Sequence, residues 1–459
     1  MSQLPPGYRE ELLPAIHEEF IKSGKTIIVL DDDPTGTQTC YDVAVLTSWR
    51  AALITEELKK NPAILFILTN SRSLPEEEAI QLTLEICLNL KDAAKESGRK
   101  IIVVSRSDST LRGHFPAEVN AISQALDIKD AIIVLVPAFI EGGRYTIDDI
   151  HYIIEKQKLV PVSDTPFAKD LVFGYNHADL KLWVEEKSKG RISASDVKSI
   201  SIEDIRVGGP LVVSDKLKSC IAGNICIVNA ASYRDLEVFV LGLILAEDSG
   251  KFFLYRTSAT FVPIRAGLES GKIFNPGKKD LISTQGSLVV VGSHVPKSTS
   301  QLKWLLEHRA YSAIEINVRD ILDSNEIYLK ANAIIQQTDS WIASGNNVVL
   351  FTSRSLEAGN DPESSLKINA LVSDFLVEIM KGLTVRPKYI IAKGGITASD
   401  IATKGLSAEK AFVLGAVIPG VPVWQMDAKS KFPGIIYVVF PGNVGDQFAM
   451  AEVCRILDS

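Results

Sequence analysis

After the apolar run Thr26–Leu30 the chain reads Asp31-Asp32-Asp33-Pro34-Thr35-Gly36-Thr37. Three adjacent carboxylates repel one another unless a cation, a basic side chain or hydroxyl donors receive them. A helix cap with its turn would also use Asp, Thr and Gly, but a cap needs one aspartate, not three. The next apolar runs end in related chemistry. Asn70-Ser71-Arg72-Ser73 follows Ala63–Thr69, and Ser105-Arg106-Ser107-Asp108-Ser109-Thr110-Leu111-Arg112-Gly113 follows Val104. Pro137-Ala138-Phe139-Ile140-Glu141-Gly142-Gly143-Arg144 follows Val136. Arginine's planar fork suits carboxylate or phosphate, and hydroxyls suit a polyol. One such loop would mean little. Several together describe a pocket for a small hydroxylated anion.

Further along, the loops change character. Val291 leads into Gly292-Ser293-His294, Ala392 into Lys393-Gly394-Gly395-Ile396-Thr397, and Val439 into Phe440-Pro441-Gly442-Asn443-Val444-Gly445. Small residues and hydroxyls expose backbone N–H groups that can hold phosphate. Ordinary turn geometry explains any one of these glycine turns, so the suggestion of a nucleotide rests on their recurrence. There is no P-loop, no GxGxxG after a strand, no GxSxG and no HExxH. The six histidines show no metal-ligand spacing, and no metal site is expected. His151, after Asp148 and Asp149, reads as the start of a solvated helix.

The elements that must position these loops form one recurring unit, a short β-branched run followed by a helical pattern. Strands are predicted at Thr26–Leu30, Ala63–Thr69, Lys100–Ser105, Ala131–Val136, Asn224–Val228 and Phe252–Tyr255. A second set comprises Ser287–Val291, Ala313–Asn317, Asn347–Phe351, Tyr389–Ala392 and Ile435–Val439. Most are continuously apolar, as in parallel strands buried on both faces. Helices are predicted at Pro75–Ser97 and Glu363–Gly382. In the latter, Ile368, Leu371, Val372, Phe375, Leu376 and Ile379 make an apolar stripe. The fold class is α/β in two domains, each a mostly parallel sheet flanked by helices, with a ligand cleft between them. The boundary falls in Gly267–Gly286, giving domains 1–270 and 271–459, and Asp164–Gly209 reads as an insertion or cap. At 459 residues, 46% hydrophobic and 23% charged, the chain suits two globular domains and excludes wholesale disorder. A net charge of −7 offers no field for nucleic acid or anionic membrane. Five scattered cysteines without a CxxC pair argue against a disulfide framework. No signal peptide or membrane span is read, so a cytoplasmic protein is expected.

At these residues the sequence resembles the four-carbon acid sugar kinase family. The most specific element is Asp108-Ser109-Thr110-Leu111-Arg112-Gly113, which is similar to the family's Asp-Ser-Thr-Leu-Arg-Gly. Asp32-Asp33-Pro34-Thr35-Gly36 is similar to its opening Asp-Asp-X-Thr-Gly, and Ser71-Arg72 and Gly143-Arg144 fall at its other substrate-domain positions. In the second half, Gly292-Ser293, Ser298 and Gln301 resemble Gly-Ser-X-X-X-X-Thr-X-X-Gln, with Ser298 for the threonine. Gly394-Gly395-Ile396-Thr397 stands for Gly-Gly-Asp-Thr with Ile396 for the acid. Gly442-Asn443-Val444-Gly445 stands for Gly-Asn-Phe-Gly, with Phe440 and Pro441 where Lys-Ser is usual. The resemblance implies an N-terminal acid-sugar domain, a C-terminal nucleotide domain, and phosphorylation of threonate, erythronate or a 3-oxo acid by ATP. In that reading Asp33 or Asp32 accepts the hydroxyl proton, with Asp108 in reserve. Thr35, Ser71, Arg72, Ser109, Arg112 and Arg144 hold the acid. Ser293, Gly394, Gly395, Thr397, Gly442, Asn443 and Gly445 hold ATP, whose Mg²⁺ is met mainly by water and phosphate oxygens. The partners are then the acid sugar and ATP, and a homodimer is an open alternative to a single chain. Two other classes fit the pocket: an acid-sugar sensor without transfer, and a metal-dependent lyase or isomerase.

Overall fold

The computed structural model describes residues 4–277, 285–322, 327–354 and 362–458. The chain divides into two compact units. The first comprises Met1–Cys40 and Ser48–Ser270, the second Tyr41–Thr47 and Gly271–Ser459. The short return of 41–47 differs from the single cut expected near 270.

In the first unit the sheet order is Ile64–Leu68, Lys25–Asp31, Lys100–Arg106, Phe253–Thr257, Ile132–Val136, Ile225–Val228 and Lys198–Ile200. Every pairing among these strands is parallel. All their carboxyl ends therefore lie along one edge of the sheet, which is where an open α/β sheet takes its ligands. Ile64–Leu68, Ile225–Val228 and Phe253–Thr257 are buried throughout, and Lys25–Asp31 is buried from Thr26 onward. The segment 164–209 is folded: it contains the helix Leu180–Lys187 and gives Lys198–Ile200 to the sheet edge. A separate antiparallel sheet of Arg144–Ile147, Ile150–Glu155 and Lys158–Pro161 was not foreseen. It corrects the reading of His151, which starts no helix. It lies within the middle strand, fully buried, between the Thr146 hydroxyl (3.0 Å) and the Ser109 carbonyl (2.8 Å).

In the second unit Ser312–Ile316, Val348–Thr352, Leu288–Val291, Tyr389–Lys393 and Ile436–Phe440 form a parallel set in that order. Val421–Met426, Lys410–Ile418 and Val43–Leu46 extend it antiparallel. Its core gathers Val289, Val291, Ile391, Val438, Leu305 and Val453 from strands and helices. The stretch expected as a linker is partly structured. Ile273 bridges Ala416, and Phe274, which donates to the Ala416 carbonyl at 2.8 Å, belongs to that core. Residues 278–284 of that stretch lie outside the described ones. The predicted helix is found as Pro362–Gly382, with Phe375, Leu376 and Ile379 buried as expected and Leu371 exposed against expectation. No helix among the described residues is long and apolar enough to cross a membrane.

Candidate functional site

The first strand delivers its acids by local backbone rules. Asp33 sits in extended conformation, with Pro34 at the first helical position behind it, and its carboxylate caps the 3₁₀ turn Pro34–Thr39 through the Thr35 N–H at 2.8 Å. That turn brings Gly36 back over Asp31, so closely that a Cβ there would lie 2.1 Å from the Asp31 carboxylate. Only glycine fits. The next strand places Arg106 opposite Asp31 in register, and its guanidinium reaches Asp31 Oδ1 at 3.0 Å. Burial pushes the Asp31 carboxyl up to about 7; Asp32 and Asp33 add to that while Arg106 opposes it.

Arg72 is the hub of the cluster. It lies 2.6 Å from Asp33, 3.5 Å from Asp32 and 3.5 Å from Asp108. Burial works to raise Asp33, but Arg72 and the Thr35 contacts hold it below the usual carboxylate range. Asp108 is likewise desolvated and still held low, by Arg112 at 2.6 Å and by Arg72. Both are ionised at neutral pH. Two residues here, Asn70 and Leu111, adopt positive φ (51° and 68°), an uncommon backbone state that re-aims the loops carrying Arg72 and Arg112.

A buried layer supports the cluster from beneath. Arg256, on Phe253–Thr257, pairs with Glu118 at 3.3 Å and donates to the Arg112 carbonyl at 3.4 Å. Glu118 also accepts from the Ser71 hydroxyl at 2.5 Å, and Ser107 bonds both Asp32 and the Arg112 carbonyl. Arg112 reaches out to Asp170 at 3.4 Å, so the 164–209 segment touches the cluster. Arg144 stands apart. Its guanidinium bonds the Gly142 carbonyl and lies 5.6 Å from the Phe139 ring, and it has no carboxylate within ion-pair distance among the described residues. Its Nε is buried without a hydrogen-bond partner.

In the second unit three strand ends interlock. Ser293 N–H donates to the Lys393 carbonyl at 3.2 Å, and Gly394 N–H to that of Phe440 at 2.9 Å. A Cβ on Gly292 would meet the Thr397 hydroxyl at 2.1 Å, and one on Gly442 would stand 3.1 Å from that of Ser293. Gly394 adopts φ +121°, which L side chains avoid. Ser298 links Ser293 (3.0 Å) to the Gly442 carbonyl (3.2 Å), and Gln301 holds the Val444 and Asp446 carbonyls at 3.0 and 2.7 Å. Lys297 caps the Asn443 carbonyl at 3.1 Å. This is a cradle of glycines and hydroxyls braced by side chains.

The model of a sugar-binding N-terminal domain family matches residues 27–264. The chain belongs to that sugar-binding family. A nucleotide-binding C-terminal domain model matches residues 288–450, so the two clusters fall in a sugar-binding and a nucleotide-binding domain respectively. No curated protein matches the sequence. The fold is similar to that of a Haemophilus influenzae protein of the DUF1537 family, 16% identical, with TM-score 0.61 over 94% of this chain and 100% of that one. It is similar also to a Salmonella typhimurium LT2 protein solved under the provisional description of a tRNA synthase, 16% identical, with TM-score 0.67 over 94% and 99%. A Bordetella bronchiseptica domain of unknown function, solved with bound citrate as a domain-swapped dimer, is 18% identical over 94% and 98%, with TM-score 0.40.

Within the sugar-binding domain Asp32, Asp33, Asp108, Arg72 and Arg112 come together. Thr35 contributes its N–H as a cap; Ser71 turns its hydroxyl to Glu118, and Ser109 offers its carbonyl to His151. Sequence reasoning passed over Arg256 and Glu118. Arg256 had a signal, since Tyr255-Arg256-Thr257-Ser258 repeats the pattern of arginine beside hydroxyls at a strand end. Glu118, inside the helix Ala117–Ala125, had none. Among the described residues no group of three or more His, Cys, Asp or Glu is placed to hold a metal ion. In the nucleotide-binding domain Ile396 is 43% exposed. The Ser293 and Gly394 N–H groups there are already spent on the Lys393 and Phe440 carbonyls.

Proposed function

We propose that this protein is an ATP-dependent kinase that phosphorylates a hydroxyl of a small, four-carbon acid sugar such as threonate, erythronate or a 3-oxo-tetronate. The observation that carries the reading is the pairing, along one edge of one parallel sheet, of ionised Asp33 and Asp108 with Arg72 and Arg112. Arginine donors receive the acid's carboxylate, and aspartates receive its hydroxyls. Asp33 accepts the proton of the attacking hydroxyl as its oxygen bonds the γ-phosphorus and the bond to the ADP oxygen breaks. A carboxylate kept acidic by Arg72 is a weak base, yet phosphoryl transfer through a loose transition state asks mainly for positioning and late proton acceptance. Gly292–Ser293, Gly394–Thr397 and Gly442–Gly445 would hold the phosphates of ATP, with Mg²⁺ carried on them as part of the substrate.

The test is a coupled ADP-release screen across four-carbon aldonates and their 3-oxo forms, run beside calorimetric binding of the same acids. Acid-dependent ADP release is expected. Tight binding of an acid without ADP release would replace the kinase by a binding protein, and consumption of the acid without ATP would replace it by a lyase or isomerase.

A further inference from the structure

Lys393 ends the strand Tyr389–Lys393 where the turn Gly394-Gly395 begins, and its side chain is fully buried. Register sets it beside Val291 on one side and Phe440 on the other. Its Nζ lies 3.8 Å from the centre of the Phe440 ring and donates to the Pro441 carbonyl at 2.6 Å. Its own carbonyl receives the Ser293 N–H. One residue thus joins all three turns of the phosphate cradle.

No carboxylate stands within ion-pair distance of it among the described residues. The other charged groups nearby are occupied. Lys297 donates to the Asn443 carbonyl, and Arg354 spends its donors on Val291, Ser293 and Thr352. Asp400 takes Lys404 and the Ser373 hydroxyl, and Asp446 takes the Phe448 N–H. His294, in the first turn, is held below its usual range by partial desolvation and by Arg354. A buried amine without a counter-ion is costly to charge, and an apolar side chain would pack at this position without that cost. The amine's placement under a glycine turn therefore points to an anion above it.

We propose that Lys393 is a positioning residue of the nucleotide site, tethering the Pro441–Gly445 turn from beneath and supplying through it positive charge against the polyphosphate of ATP. The inference rests on the kinase reading and names the residue that meets the nucleotide's charge. It has a thermodynamic signature. Burial, with a smaller push from Lys297, brings the amine down to about 6, so it is mostly neutral at pH 7.5 in the free protein. A polyanion settling on the turn favours the ammonium, and binding draws a proton from solvent.

The experiment is calorimetric titration of a nonhydrolysable ATP analogue with Mg²⁺ into the full chain at pH 7.5, in buffers of different ionisation enthalpy. The chain itself, Lys393→Met and the exposed-site control Lys303→Met are compared, and thermal unfolding confirms that each is folded. Uptake of a substantial fraction of one proton is expected for the unaltered chain and the control. Lys393→Met is expected to bind about 10-fold more weakly, the scale of one charge-assisted contact, and to take up none. Undiminished proton uptake in Lys393→Met overturns the proposal, because a purely structural lysine would cost affinity and leave the uptake in place. Unchanged affinity in that variant overturns it too. Failure of the analogue to bind the unaltered chain overturns the kinase reading itself, and this inference with it.

Discussion

Replacing Asp31 by asparagine should change the way stability depends on pH, and the sign is fixed by its surroundings. The carboxyl is buried, one oxygen faces Arg106 at 3.0 Å, the other has no hydrogen-bond partner, and two more carboxylates follow it in sequence. It titrates near 7 in the folded chain against an ordinary 3.8. Between those limits the folded chain keeps a proton that the unfolded chain has released. The group's favourable contribution is therefore full below pH 4 and lost as pH rises through 7, by ~4 kcal/mol at about 1.4 kcal/mol per pH unit. The Asp31→Asn side chain would keep the shape and an acceptor for Arg106 and remove the titration. Urea unfolding at a series of pH values, followed by hydrogen exchange of the strand Lys25–Asp31, reads the first unit separately from the second. From pH 4.5 to 8 the variant should gain ~3 kcal/mol on the unaltered chain. Parallel pH profiles would refute the reasoning. A variant that loses ground as pH rises would show that the ionised pair with Arg106 outweighs desolvation.

Asp33→Asn keeps the cap's shape but lacks the basic oxygen, so kcat should fall ~10²–10⁴-fold with ATP affinity nearly unchanged; near-normal kcat at saturating substrate would move the base to Asp32 or Asp108. Arg112→Lys replaces a fork by a point charge and should raise the KM for the acid much more than that for ATP in steady-state assays; equal changes in both would remove Arg112 from the acid's site. Arg256→Met strands Glu118 in the interior, and calorimetric unfolding should show a loss of ~3–5 kcal/mol, largely restored by adding Glu118→Gln. A single variant as stable as the unaltered chain would mean that Glu118 is neutral when folded.

What the sequence made legible was local. Runs such as Ile64–Leu68 and Leu288–Val291 announce doubly covered parallel strands because nothing polar interrupts them, and such a sheet puts Asp32, Arg72 and Asp108 at neighbouring strand ends. The antiparallel strands were harder to read. Lys410–Ile418 contains Gly415 and two register shifts, Val421–Met426 contains Pro422, and neither offers a clean alternation. His151 was misread because a burial decided by tertiary contacts with Ser109 and Thr146 leaves no trace in its immediate neighbours. The same holds for the tie between Glu118 and Arg256, separated by 138 positions, which only the folded sheet brings within reach.

The seven residues Tyr41–Thr47 belong by packing to the unit that the rest of the chain enters only after residue 270. Val43–Leu46 covers the flank of Lys410–Ile418, and the Asp42 N–H and Thr47 N–H extend the pairing to Val413 and Glu409. During synthesis this strip leaves the ribosome long before the strand it must join, so the second unit cannot close its sheet until the chain is nearly complete. A fragment cut to begin at residue 271 would leave the backbone groups of Lys410–Ile418 open along that flank, a template for pairing with other chains. Although two domain models divide the sequence cleanly, the two units are not separable by a single cut.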